Sequence, residues 1–213
     1  MNRLAVVKFP KASLSPLIAL VVLAASGCAK DSSPSGPGLA LSDKDNLAQG
    51  WRQFEAQQYD SAAASFTSAY SAASTDAIKG EAVEGRGWAF MYKRNLTAAR
   101  TDFMAAIGTT GIQSGILDDA RAGASFTLYS LNMFSDAAAY SNAALTDNPS
   151  YAFAHDPKIT SRRVRLLLAQ SYYANGQFTP AAAQIDLLLP SSAPHAPDPV
   201  ALLGSITNLL NSL

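Results

Sequence analysis

Cysteine is almost missing. The chain of 213 residues holds one, Cys28, so no intrachain disulfide can form. Histidine occurs only at His155 and His195, both in proline-containing stretches with no second metal ligand at helical spacing. There is no phosphate-cradling glycine loop, no nucleophile elbow and no metal motif. These absences predict no catalytic residue, no metal, no cofactor and no enzymatic activity. No segment sustains a period-two alternation of apolar and polar residues, so no strand is expected. No apolar run reaches the ~20 residues a membrane span needs. Charge is scarce as well: charged residues make up 15%, and sixteen basic groups cancel sixteen acidic ones. Arg3, Lys8 and Lys11 all precede residue 28, so the remainder carries a net charge of −3. Nucleic acid is thereby excluded as the main partner, because backbone binding requires a basic face that displaces counterions.

What is abundant is alanine, at 40 residues. Alanine forms helices readily because it loses no side-chain entropy on ordering. One pattern recurs at fixed spacing. Gly50, Ala62, Phe66 and Ala69 are matched in step by Gly87, Ala99, Phe103 and Ala106. Ser125, Ala137, Ser141 and Ala144 follow, then Ala169, Ala181, Ile185 and Leu188. A helix–turn–helix unit of this kind cannot bury its own apolar face and must stack on copies of itself.

The N-terminus reads as an address. Residues 1–11 are basic, residues 14–25 are largely apolar, and Ser26-Gly27-Cys28 follows. That order predicts a secretory signal over residues 1–27. Ala25-Ser26-Gly27-Cys28 resembles a bacterial lipobox, with Ala25 where that family most often has leucine. The resemblance implies cleavage before Cys28 and lipidation of its thiol, anchoring the chain to a membrane. Ordinary cleavage after Ala24-Ala25-Ser26, giving a soluble secreted protein, is the competing reading. Residues 28–41 are too rich in Pro, Gly and Ser to fold and form a tether. Ala29 stands where inner-membrane lipoproteins carry aspartate, which implies the outer membrane, facing the periplasm.

Helical pairs are predicted over 42–57 and 60–73, 76–93 and 96–107, 115–132 and 135–146, and 158–174 and 180–189. Asp156-Pro157 and Thr179-Pro180 start the last two helices as cap and first-turn proline, and Asn175-Gly176 closes a helix. Residues 149–157 are an insertion that lengthens the spacing from Ala137 to Ala181 to 44, against earlier spacings of 37 and 38. Asp198 and Pro199 start a final capping helix over 199–212, with Leu202, Leu203, Ile206, Leu209, Leu210 and Leu213 as its apolar stripe.

Gly50-Trp51-Arg52-Gln53-Phe54, with Tyr59, Ala62 and Phe66, resembles a tetratricopeptide repeat. So do Gly87-Trp88-Ala89-Phe90 with Leu96, Ala99 and Phe103, and, most clearly, Leu168-Ala169-Gln170-Ser171-Tyr172-Tyr173 with Gly176, Phe178 and Ala181. Ala144-Leu145-Thr146-Asp147-Asn148-Pro149 is similar to the usual repeat ending. The third unit departs, with Ser125 and Ser141 where glycine and an aromatic are usual. The resemblance implies an all-α, right-handed superhelical array. Within a domain of residues 42–213, four hairpins lie at about 43–75, 80–112, 118–149 and 162–190, plus the cap.

The resemblance also implies function. On the first helix of each unit, Trp51, Phe54, Trp88, Met91, Tyr92, Phe126, Tyr129 and Tyr173 share the face that lines the concave groove of such arrays. The expectation is a cell-envelope interaction or scaffolding module that takes an extended peptide or partner helix there. Lys44, Glu81, Asp119 and Arg163 would tune that binding. Packing of the aromatic rings between units is the alternative for the residues, and glycan or small-molecule reception is the alternative for the function. Three features have blander readings. His155 and His195 are expected as surface loop histidines. Asp118, Asp119, Glu81 and Glu84 are expected as first-turn acids stabilised by helix dipoles. Lys158, Arg162, Arg163 and Arg165 either pair with Asp147 and Asp156 or bind an anion.

Overall fold

The computed structural model describes residues 41–212; the stretch expected as a signal, Cys28, most of the stretch expected as a tether and Leu213 lie outside the described residues. Nine α-helices form among them: α1 (Asp43–Glu55), α2 (Tyr59–Ala72), α3 (Asp76–Tyr92), α4 (Leu96–Ile107), α5 (Ser114–Ser130), α6 (Phe134–Asp147), α7 (Ser161–Ala174), α8 (Phe178–Leu188) and α9 (Pro199–Ser212). The all-α expectation holds, with one 3-10 turn at Pro190–Ser192 and no strand among the described residues. Side chains fix several starts. Ser42, Thr75, Asn95 and Thr160 accept the backbone N–H of Asp45, Ile78, Ala98 and Arg163, satisfying a donor the helix itself leaves open. Asp198 accepts from Ala201 N at 2.8 Å at the start of α9, as expected.

Two starts differ from expectation. Helix α7 begins at Ser161 behind Thr160, and not at Lys158 behind Asp156-Pro157. Helix α8 begins at Phe178, so Pro180 sits inside the first turn, where its missing N–H has no intrahelical partner to lose.

The repeat frame is also a backbone frame. The first helix of each hairpin closes on a left-handed residue: Gln57 (φ 61°), Arg94 (φ 62°), Asn132 (φ 62°) and Gly176 (φ 74°). Each lies seven residues after Gly50, Gly87, Ser125 or Ala169. The next residue then donates five residues back, Gln58 to Gln53, Asn95 to Phe90, Met133 to Leu128 and Gln177 to Tyr172, at 2.8–2.9 Å. This closure satisfies carbonyls that the helix end would leave open. Only the fourth unit uses glycine there. At exposed Gln57 the side chain strains a conformation that glycine adopts freely. Gln57→Gly is therefore expected to stabilise the fold by about 0.5–1 kcal/mol. A urea midpoint that rises with unchanged slope checks this.

Each hairpin packs on the next, and the odd-numbered helices also touch one another in succession, from α1 to α9. Close approach is made by glycine. A Cβ at Gly50 or Gly85 would lie 2.6 Å from the Phe66 ring, so Phe66 is wedged between two hairpins. Phe103 is wedged in the same way, with Cβ positions 3.0 Å away at Gly87 and 2.2 Å away at Gly123. The third unit exchanges these volumes. Its wedge is the small Ser141, and the two seats hold Ser125 and Leu167, all three buried. Helix α9 closes the stack: Leu202, Ile206 and Leu209 join a core with Leu166, Ala169, Ala181, Ile185 and Leu188. The stripe is narrower than expected, since Leu203 and Leu210 are only half-buried. None of the described helices is long and apolar enough to cross a membrane.

Candidate functional site

The insertion between α6 and α7 supplies the surprise. Residues 149–160, here called the strap, fold over the aromatic face of α1 and α3. Backbone bonds close the strap on itself. Phe153 N donates to Ile159 O at 2.9 Å, Ser161 N donates to Tyr151 O at 2.5 Å, and Ala152 and Thr160 form one antiparallel bridge. Extended backbone sends alternate side chains to opposite sides. Tyr151 and Phe153 are accordingly buried and His155 half-buried, while Ala152 and Ala154 face solvent.

The inward side chains meet the residues that the repeat pattern marks. Phe153 stacks on Trp88 with ring centroids 4.3 Å apart and meets the edges of Trp51 and Phe54 at 5.9 and 6.1 Å. His155 lies flat on Trp51 at 3.7 Å, and its Nδ1 is 2.8 Å from Glu55 Oε1. Tyr92 donates its hydroxyl to the Asp156 carboxylate. Burial and this bond push the Tyr92 hydroxyl far above its usual range. The face on which the sequence places a groove is thus a seat already holding a segment of this chain.

Under the Tyr151 end lies a group of acids. Glu84 on α3 is buried at 1% exposure. Burial, then the charges of Asp119 and Glu81, hold its carboxyl well above the usual range, against a smaller opposing effect of the Trp88 indole. Burial pushes Asp119 on α5 up to about 7, with neighbouring Asp118 adding to the rise and Tyr151 opposing it. Asp118 is raised by burial, with Arg121 opposing at 3.7 Å. Burial also raises the Tyr151 hydroxyl, and Asp119 adds to the shift. Three polar atoms here lack a hydrogen-bond partner: Glu84 Oε1, Trp88 Nε1 and Tyr151 Oη. Tyr151 is thus near enough to influence Asp119 without reaching hydrogen-bond geometry.

Several expectations need correction. Trp51, Phe54, Trp88 and Tyr92 do come together, but beneath the strap. Phe54, Tyr129 and Tyr173 are hairpin-corner residues, packing edge-on against Tyr59, Phe134 and Phe178 across their own turns at 5.3–5.4 Å. Met91 and Phe126 are buried, so neither offers free surface. Glu81, Glu84, Asp118 and Asp119 are not first-turn acids, because α3 starts at Asp76 and α5 at Ser114. The two histidines are not free loop groups: His155 is stacked as described, and His195 Nδ1 lies 2.7 Å from Asp186, which also accepts the His195 backbone N–H. The basic run has other partners. Arg121 takes Asp147, Arg165 donates to Gln184 at 3.0 Å, and Lys158 sits in the strap turn. Arg163 lies close enough to Tyr92 for its charge to oppose the hydroxyl's shift.

Tyr151, Phe153 and the Glu84–Asp119 pair are the site residues that repeat spacing passes over. The signal for the strap is short but present: Tyr-Ala-Phe-Ala-His over 151–155 alternates for five residues. A separate cleft of about 440 Å³ runs between Tyr70, Lys79, Asp102 and Thr109. Its Arg86 is already held by both Asp102 oxygens at 2.7 and 2.8 Å, so the cleft presents no spare charge there. Among the described residues no three His, Cys, Asp or Glu side chains are grouped to hold a metal. Compared with known proteins, the chain matches no family model, no curated protein and no solved structure.

Proposed function

We propose that this chain is a lipid-anchored interaction module of the bacterial cell envelope. It is built as a tetratricopeptide-like superhelical array and captures an extended peptide or partner helix on the face formed by α1, α3 and α5. The seating of residues 151–156 carries this reading. An extended segment already fits the aromatic face through alternate side chains, which is how an external peptide would be held. Four hairpin closures at one repeat position support the array. The basic, apolar, Ala-Ser-Gly-Cys order supports the anchor at Cys28, and Ala29 supports the outer membrane.

Cell fractionation tests the anchor. The protein should pellet with membranes and need detergent for release, because each buried methylene of an acyl chain contributes about 0.8 kcal/mol. Cys28→Ser should leave an unprocessed precursor or a mislocalised protein. Wild-type protein that is wholly soluble without detergent overturns the anchor. Photo-crosslinking in intact cells tests the capture face. A photoreactive residue at Glu55, on the strap rim, should trap a partner that one at exposed Ser71 on α2 does not. Equal trapping at both positions removes the capture face from the proposal, and a trapped glycan in place of a peptide turns it to a sugar receptor.

A further inference from the structure

We propose that the strap stands in for a basic–aromatic peptide, whose cation enters between Glu84 and Asp119 while an aromatic residue two positions later takes the place of Phe153 against Trp88. This rests on the capture face proposed above and names its ligand.

An entering cation would ionise carboxyls that burial holds protonated, and this sets the first half of the motif. Glu81, Glu84, Asp118 and Asp119 gather under the Tyr151 end, and Arg121 beside them is already shared between Asp118 and Asp147. A tyrosine hydroxyl has one proton to donate. Here it lies near Asp119 without reaching hydrogen-bond geometry, and Glu84 Oε1 is unpaired as well. Buried polar atoms are costly when unpaired, so the strap fits this end poorly. A guanidinium offers five donors in a planar fork and bonds carboxylates with charge assistance. It would meet Glu84 and Asp119 where the phenol does not.

The second half follows from the extended geometry. Residues two apart point the same way, so a basic residue in the Tyr151 place puts the next inward side chain on Trp88. An aromatic ring there reproduces the 4.3 Å stack. The strap can also leave. Apart from Thr160 O, which accepts from Val164 N at the start of α7, its backbone hydrogen bonds close within residues 148–161, and side chains fasten it to the array. At the rim these are His155 on Glu55 and Asp156 on Tyr92. A tethered segment competes at high effective concentration, so the intact strap weakens every external peptide.

The test uses the chain with an intact array and two labelled hexapeptides, Tyr-Ala-Phe-Ala-His-Asp and Arg-Ala-Phe-Ala-His-Asp, followed by fluorescence anisotropy. Phe153→Ala frees the Trp88 face. This variant should bind the arginine peptide at least tenfold more tightly than the tyrosine peptide, and at least tenfold more tightly than wild type does. Adding Glu84→Gln should erase the preference for arginine. Binding of neither peptide by folded Phe153→Ala, no preference between them, or equal affinity for wild type and variant overturns the inference. Should Phe153→Ala fail to fold, the same comparisons pass to His155→Ala combined with Asp156→Asn, which cuts only the rim. If neither variant folds, the strap is a fixed part of the core and the inference falls. A partner trapped from Glu55 in cells that lacks a basic–x–aromatic segment overturns this ligand while leaving the capture face standing.

Discussion

Trp88→Ala is expected to remove about 3–5 kcal/mol of stability, the range for emptying a buried tryptophan site. It is 0% exposed and meets three aromatic rings at once. Phe103 of its own hairpin meets it edge-on at 5.5 Å, Tyr92 lies at 6.5 Å, and Phe153 of the strap stacks on it at 4.3 Å. Truncation therefore opens a cavity and loosens the strap together. The indole N–H has no hydrogen-bond partner, so its loss gives back a little. Trp88→Phe discards that N–H and keeps part of the stack, and should cost clearly less than the alanine variant. Trp51→Ala should cost less than Trp88→Ala as well. Trp51 is 9% exposed, and its broadest contact is His155, itself half-buried. Urea unfolding of the three variants gives the order. A Trp88→Ala protein as stable as wild type contradicts the packing described for the strap.

Much of the fold is legible in the sequence because its spacings are consequences of geometry. A small residue at Gly50 or Gly87 leaves room for the phenylalanine sixteen residues later, Phe66 or Phe103. The turn falls at a fixed distance because the left-handed closure does. Even the weak third unit has its reason, a small wedge at Ser141 with a bulkier seat at Leu167. The helix starts at Thr160 and Phe178 are harder, because proline in Asp156-Pro157 and Thr179-Pro180 fits both a first helical residue and its near neighbours.

The site was only half legible, and the cause is also physical. Spacing puts Trp51, Phe54, Trp88 and Tyr92 on one side of two helices, and that much is right. It cannot say what covers them. The strap is a single extended stretch of five alternating residues, with no partner strand of its own to repeat the pattern. Position four after the small residue is ambiguous in the same way. Phe54, Tyr129 and Tyr173 satisfy the groove periodicity, yet Tyr59, Phe134 and Phe178 across each turn capture them. Glu84 is buried and interacts with Asp119 of α5 and Tyr151 of the strap, so no reading of α3 alone reveals a displaced carboxyl.

Stability should fall as pH rises from about 4 to about 7. In the unfolded chain Asp119 and Glu84 release their protons near pH 4. In the folded chain burial pushes Asp119 up to about 7 and holds Glu84 well above its usual range. Between these limits the folded state binds protons that the unfolded state has lost, so raising the pH favours unfolding. Each pH unit in the window costs about 1.4 kcal/mol for a group fully in this condition, and Asp119, partly exposed, should supply about 2–4 kcal/mol across it. The groups facing the pair reinforce the direction: Glu81 and Asp118 are acids, Tyr151 is an un-ionised phenol, and Arg121 is divided between Asp118 and Asp147. Asp43 and Asp186 act oppositely, since hydrogen bonds from Ser74 and His195 lower their carboxyls. Their contribution is present above the unfolded value and is lost on acidification below about 4, outside this window. Glu84→Gln keeps the side-chain shape and removes the titration of that carboxyl. It should be more stable than wild type at pH 7.5, with a visibly flatter profile between pH 4.5 and 7.5. Urea unfolding at intervals of one pH unit measures both curves. A wild-type profile that is level or rising across the window would show that these two acids are ionised and solvated beneath the strap.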